Sequence, residues 1–293
     1  QTVELALTMR PAERAEGVNL GGGGLMDAVL IFVPGLKEIE TLFKALTDRP
    51  PFNREPQKSW VMPLHGNLPH EEQLAVFKRA PPGIRKIVLS TNVAETSVTI
   101  DDVGFVIDTG RHKEMRYDPE RRMSSLKDEL IPRANLKQRR GRAGRIAPGV
   151  AFHLVTKHRH DIIAQAAQEP EVRRVALEQL VLRIRALPVY RHSGTSAADV
   201  CGRLLEPPSA DAVARAVEEL VSLEAMTAAT AGRCEDLTPL GVHLSTLPID
   251  ARLGKLILLG TIFGVTDESL IISAALSTRS PFLSPHEERV RGE

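Results

Sequence analysis

The chain has 293 residues, 42% of them apolar, and its 38 Lys/Arg against 37 Asp/Glu leave a net charge of +1. At roughly 150 residues per domain this is material for about two domains with cores of their own, expected to be soluble and globular. It excludes a disulfide-stapled miniprotein, a charged disordered tail and a uniformly basic coat protein.

In chain order, the start Gln1-Thr2-Val3-Glu4 shows no Met and no basic-then-apolar leader, the expectation for a piece of a longer polypeptide. Residues 11 to 25, with Gly21 to Gly24, are expected as a surface loop, since no Lys-Ser/Thr follows the glycines as a phosphate cradle requires. Ala28 to Val33 is a continuous apolar run ending in Pro34-Gly35, the pattern of a strand buried on both faces. Leu36, Ile39, Leu42, Phe43 and Leu46 then recur at helical spacing up to the Pro50-Pro51 stop. A strand over Trp60 to Leu64 precedes a helix capped near Asn67 to His70 and running through Leu74 and Phe77. Further strands follow at Lys86 to Ser90, Gly104 to Asp108 and Val150 to Val155. Strands alternating with helices predict a doubly wound α/β layer on a mainly parallel sheet. Arg111 to Ile131 is expected to protrude as a hairpin around the type I turn chemistry of Asp118-Pro119-Glu120-Arg121.

Beyond residue 156 the pattern becomes mostly helical, with helices expected at Val172 to Ile184, Ala197 to Leu205, Ala210 to Leu223, Arg252 to Phe263 and Asp267 to Leu276. Met226 to Thr238 suits a small β wing between helices. No apolar run reaches the ~18 residues of a membrane span; the longest, Leu256 to Val265, holds two glycines and a threonine. Cys201 and Cys234 have no CxxC partner and no His at ligand spacing, so they read as reduced thiols rather than a zinc or disulfide framework.

The balanced total hides an uneven distribution. Residues 111 to 145 hold twelve Lys/Arg against five Asp/Glu, so the remainder is acidic. A concentrated basic segment reads as an anion or nucleic-acid footprint, with a solvated charged face as the plainer alternative.

Two segments carry chemistry. In Ser90-Thr-Asn-Val-Ala-Glu-Thr-Ser-Val-Thr-Ile-Asp101, placed after a strand, the hydroxyls of Thr91, Thr96, Ser97 and Thr99 and the carboxylate of Asp101 suit ribose and phosphate recognition. In Gln138-Arg-Arg-Gly-Arg-Ala-Gly-Arg145, Arg139, Arg142 and Arg145 are three apart and are expected on one helical face, with Gly141, Ala143 and Gly144 allowing close packing. Guanidinium groups bind phosphate oxygens bidentately and neutralise charge on a transferred phosphoryl group. Glu95 suits a structural hydrogen bond better than a catalytic base, and His65, His158 and His160 receive no role.

The succession Leu30 to Gly35, Leu64-His65 to Phe77, Ser90 to Asp101 and Gln138 to Arg145 resembles motifs IV, IVa, V and VI of the DEAH/RHA-type RNA helicases. Arg174 to Val181, Leu237 to Gly241 and Leu247 to Asp250 continue the likeness from about residue 25 to the end. The resemblance implies a second RecA-like domain over 1–157 with the hairpin at 111–131, a winged helix over 158–248 and the start of a helical ratchet domain over 249–293. It assigns Gln138 to the γ-phosphate and attacking water, and makes Arg142 and Arg145 arginine fingers. Phe77 would stack on the adenine, with Ser97, Thr99 and Asp101 at the nucleotide and ribose. Thr91 and Asn92, with Gly35, would meet the RNA backbone, and Arg111 and Lys113 of the basic hairpin would add phosphate contacts.

No GxxxxGK[ST] loop and no acidic Mg²⁺-binding box occur in these residues. The resemblance therefore implies half of an ATP site, inactive by itself, with ATP and Mg²⁺ presented by a first RecA-like domain of the same polypeptide. RNA, single-stranded or structured, is the implied partner, with a protein activator or ribonucleoprotein beside it, no membrane, and a cytoplasmic or nuclear setting. The implied activity is ATP-dependent 3′ to 5′ RNA unwinding; a catalytically inactive RNA-binding scaffold and a DNA helicase are the competing readings.

Overall fold

The computed structural model describes residues 28–277 apart from 97, 119, 120, 122, 144, 146, 147, 192 and 193. The glycine-rich loop expected before residue 26 lies outside them, as do Ser97, Gly144 and the centre of the expected turn at Pro119-Glu120. Two compact units can be distinguished: one takes 28–116 and Ser125–Glu169, the other Tyr117–Ser124 and 170–277.

Up to residue 169 the chain runs β1 (Ala28–Phe32), α1 (Leu36–Thr47), β2 (Val61–Leu64), α2 (His70–Ala75), β3 (Ile87–Ser90), α3 (Val93–Thr96), β4 (Val103–Asp108), β5 (Arg111–Asp118), β6 (Met123–Leu130), α4 (Arg133–Arg140) and β7 (Val150–His153), all in the first unit except the facing ends of β5 and β6. Strands β2-β3-β1-β4-β7, in that order, form one sheet in which every pairing is parallel. The strands are apolar throughout because both faces are covered, and their two-residue period sorts them into two cores. Val29, Ile31 and Val33 pack with Ile39, Ile87, Leu89, Phe105 and Ile107 on the α1 face. Ala28, Leu30 and Phe32 pack with Leu64, Val76, Val88, Ala94 and Val106 on the other. The expected strands are all present, within one or two residues at their ends.

β5 and β6 pair as a separate two-stranded sheet, and the Asp118 side chain accepts the Arg121 amide at 3.1 Å. α2 is shorter than expected: it ends at Ala75, so Phe77 follows the helix rather than belonging to it. α4 likewise ends at Arg140, with Gly141 as its C-cap. Arg139, Arg142 and Arg145 therefore do not share a helical face; only Arg139 is helical, and the other two lie beyond the cap.

The second unit contains α5 (Glu171–Arg174), α6 (Glu178–Ala186), α7 (Ala197–Gly202), α8 (Ala210–Ser222), the antiparallel wing β8 (Met226–Thr227) and β9 (Asp236–Leu237), α9 (Pro239–Thr246), α10 (Ala251–Ile262) and α11 (Thr266–Ser277). The single helix expected over 172–184 is broken, because Val175 is extended (φ −113°, ψ 163°) and Leu177 is buried in the core of this unit. α9 has no expected counterpart, although Thr238 caps it and Pro239 opens it, a start signal readable in the sequence. Ser196, whose side chain forms a capping box with Asp199, Ser209 and Asp250 fix the starts of α7, α8 and α10 in the same way. α10 and α11 meet at Gly260, where any Cβ would run into Ser269. No helix among the described residues is long and apolar enough to cross a membrane.

The return from α4 to the sheet passes backbone against backbone. A Cβ at Gly149 would overlap the carbonyl oxygens of Ala143 and Gly104, neither of which can rotate away. Gly149→Ala is therefore expected to lower unfolding stability by about 1–3 kcal/mol or more, read from urea midpoints. An unchanged midpoint would mean that this turn is not held by β4.

Candidate functional site

β1 lies between β3 and β4, while the chain visits β2 and β3 on one side before crossing to β4 and β7 on the other. Loops leaving the carboxyl ends of such neighbouring strands border a crevice. Gly35 follows β1, Thr91 and Asn92 follow β3, and Arg111 lies just beyond β4. The last turn of α4 and the residues after it come to the same edge through one buried side chain.

That side chain is Arg139, fully buried at the end of α4. Its Nε donates to Glu95 Oε2 at 3.0 Å, and its Nη1 donates to Asp108 Oδ1 at 2.8 Å and to the Arg111 carbonyl at 3.2 Å. The guanidinium carbon lies 4.8 Å from the centroid of the Phe32 ring. Asn135, one turn earlier on α4, donates to the second Glu95 oxygen at 2.5 Å. Asp108 also accepts the Gly110 amide at 2.8 Å and lies 3.3 Å from His153 Nδ1. Burial pushes the Asp108 carboxyl up, but the His153, Arg139 and Gly110 contacts outweigh it and hold the group below the usual carboxylate range. Glu95 is thus a structural anchor, as expected. The network itself went unforeseen, since its members are 31 and 44 residues from Arg139 in the chain.

Arg142 and Arg145 have different surroundings. Arg142 donates to the carbonyl of Val98 at 3.3 Å and to that of Glu95; Arg145 donates to the Thr99 hydroxyl. Among the described residues neither has a carboxylate partner. Burial and the nearby positive charge of Arg145 both pull the Arg142 guanidinium below its ordinary proton affinity, against a weaker opposing pull from Glu95. Two neighbouring guanidiniums held by neutral acceptors have the chemistry to pair with an anion.

The structure brings Thr99, Arg142 and Arg145 together, while Gln138 and Asp101 are exposed and do not join that group. Phe77 is 48% exposed, so it is no core filler and offers a free aromatic face. Asn92 is exposed, whereas Thr91 is buried at 4%. Gly35 is packed so closely that a Cβ would meet Lys113 Nζ and the Glu38 carboxylate. Part of the basic segment, including both hairpin residues expected to meet phosphate, is paired within the protein. Lys113 pairs with Glu38 at 2.9 Å, Arg111 with Asp128 at 2.9 Å, and Arg116 with Glu114, Glu129 and Glu169 at 2.8–3.3 Å. Among the described residues, Lys127, Arg133, Lys137, Arg140, Arg142 and Arg145 have no carboxylate partner, and all but Lys127 lie on or after α4.

Comparison with known proteins places these elements. The family model described as helicase conserved C-terminal domain matches residues 24–147, and that of the ratchet-like helicase associated domain (HA2) matches residues 250–293. The chain is 48% identical over 263 residues to mouse DHX57, named for ATP-dependent RNA helicase activity, covering 89% of this chain and 18% of that one. It is 43% identical over 258 residues to the human ATP-dependent DNA/RNA helicase DHX36, covering 88% and 24%. The chain thus spans about a fifth to a quarter of the length of these curated relatives. A crystal structure of the Escherichia coli DEAH/RHA helicase HrpB superposes with a TM-score of 0.73 at 27% identity, covering 87% of this chain and 30% of that one.

Removing Arg139 while keeping its bulk, as in Arg139→Met, leaves the buried Glu95 and Asp108 carboxylates without their cation, and is expected to cost about 3–5 kcal/mol of unfolding free energy. Acid should act on the same region in two stages. His112, buried beside Glu114 and Arg139, is held below its ordinary value chiefly by burial. The unfolded chain therefore binds the extra proton first, and stability begins to fall as the pH drops through about 6.5. The depressed Asp108 carboxyl adds a second loss as the pH falls through and below the usual carboxylate range. Urea midpoints followed from neutral to acid pH check both stages, and His112→Gln should flatten the first.

Proposed function

The chain carries the helicase C-terminal and ratchet-like helicase-associated regions of the DEAH/RHA helicases, and from that premise we propose that it forms the arginine-finger side of an ATP site shared with a first RecA-like domain. The observation that carries this reading is the pair Arg142 and Arg145, two adjacent cations without a carboxylate partner among the described residues, held by backbone carbonyls and by Thr99. In this proposal the pair neutralises charge gathering on the γ-phosphoryl group, and Gln138 orients the attacking water. Phe77 stacks on the adenine, and Thr99 and Asp101, with Ser97, take the ribose side. A single aromatic face accepts any base, so nucleotide preference should be loose. Mg²⁺ arrives with ATP on the first domain, and the fragment alone does not hydrolyse ATP.

Nucleic acid is proposed to run along the loops after β1 and β3, touching the Gly35 and Thr91 main chain and the exposed Asn92. Arg111 and Lys113 contribute after exchanging Asp128 and Glu38 for phosphate, a swap that makes their contribution salt-dependent. Closure of the ATP cleft and its reopening after hydrolysis would then move single-stranded RNA 3′ to 5′ past the β5–β6 hairpin. The domain reading given by the resemblance, a RecA-like domain, a winged helix and the start of a ratchet domain, is retained in this proposal. Because one relative is named a DNA/RNA helicase, DNA belongs in the test as a competitor.

In the full-length polypeptide, Arg142→Ala or Arg145→Ala is expected to lower nucleic-acid-stimulated ATP turnover by about 10³-fold or more, while changing nucleotide affinity far less. Turnover within a few-fold of the parent would overturn the finger assignment. Unwinding competed by matched RNA and DNA single strands, at two salt concentrations, separates the two substrates.

A further inference from the structure

Phe77 sits on a short bridge between the end of α2 and the rest of the unit, and exposed aromatics on short connections ordinarily turn over through several rotamers. Here the backbone is pinned at the residues before and after Phe77. Val76 is fully buried in the core that backs α2. The carbonyls of Val76 and Lys78 have run past the end of the helix and have lost their helical partners. Both accept from one buried ammonium: Lys86 Nζ lies 2.9 Å from each. Its remaining acceptor is Asp102 Oδ1 at 2.7 Å, and the side chain itself is 0% exposed. Three donors meet three acceptors, so the lysine has a single satisfied geometry. Asp102 in turn follows Asp101, and its carbonyl accepts the amide of Ala28 at the start of the central strand.

We infer that Lys86 is a positioning residue for nucleotide recognition: it fixes the backbone that carries Phe77 relative to Asp101, by holding the main-chain carbonyls of the residues before and after Phe77 and the carboxylate next to Asp101. The inference rests on the proposed stacking of Phe77 on the nucleotide base and adds to it the device that holds the backbone carrying the ring in place. A lysine at the head of a buried strand reads in the sequence as an ordinary flanking charge. Only its burial and its three acceptors assign it this role.

The test is a double-mutant cycle in the full-length polypeptide, read as KM and kcat for ATP and for ribose 5′-triphosphate, which lacks the base. Phe77→Ala should raise the KM for ATP by about tenfold, the scale of one base–aromatic stack, and leave the base-free substrate unaffected. Lys86→Met should raise the KM for ATP by about three- to tenfold, with kcat at saturation and the KM for ribose triphosphate unchanged. In the Phe77→Ala background Lys86→Met should add nothing further. A Lys86→Met effect of equal size on both substrates, or one that persists without Phe77, would overturn the positioning role and mark Lys86 as a fold residue only. If Phe77→Ala leaves ATP untouched, the stacking reading fails instead, and the two failures are thereby distinguished. Should Lys86→Met not fold, as judged by its thermal transition, Asp102→Asn replaces it; this keeps the lysine but weakens its third contact. It must then show the same ATP-specific rise in KM, smaller in size, or the inference falls.

Discussion

A guanidinium with no access to water can be tolerated only where anions are waiting for it. Arg139 meets that condition with Glu95 and Asp108, one brought by the short helix α3 after β3 and one by the last residue of β4. Taking a charge out of water costs several kcal/mol per ion, and the return depends on geometry that few arrangements supply. α4 can therefore end in one place only, with its last turn over Phe32 and between the two carboxylates. The same guanidinium also accepts no alternative for the start of β5, because it holds the Arg111 carbonyl. Four segments far apart in the chain are registered by one side chain.

Three arginines spaced three apart thereby acquire two kinds of work. Arg139 lies inside the helix and is neutralised; Arg142 and Arg145 lie past the Gly141 cap, beside one another, on neutral acceptors. Had the helix continued, all three would have lined one face and competed for the same anions. The break separates a charge held by buried carboxylates from two charges held by neutral acceptors, and it makes the position of the second kind depend on the first.

How much of this was legible depends on how local the cause is. Strands covered on both faces must be apolar at every position, so β1, β3 and β4 could be read directly from runs such as Ala28 to Val33, and the parallel α/β layer follows from their alternation with helices. The motif residues were legible by type and by resemblance. The end of α4 had a signal, Gly141, that spacing among arginines overshadowed. Arg139's partners, the pairing of Lys113 with Glu38 and the burial of Lys86 had none, because each depends on which distant residue the fold brings opposite. The basic segment shows the same limit from the other side. Its twelve cations could be counted, but the carboxylates that neutralise Arg111, Lys113 and Arg116 come partly from elements well outside it.

The contacts of Arg142 and Arg145 with motif-neighbour carbonyls and with Thr99 also bear on the entropy of ligand capture. A free arginine side chain carries about 2 kcal/mol of rotamer freedom that it must surrender when it grips an anion. In this fold much of that freedom is already gone, since each guanidinium rests on an acceptor before any anion is present. A phosphate arriving there trades a neutral acceptor for a charged one and does not have to immobilise a wandering side chain. The two side chains are thus preorganised, and in the proposed ATP site an anion would meet them with little ordering cost set against the electrostatic gain.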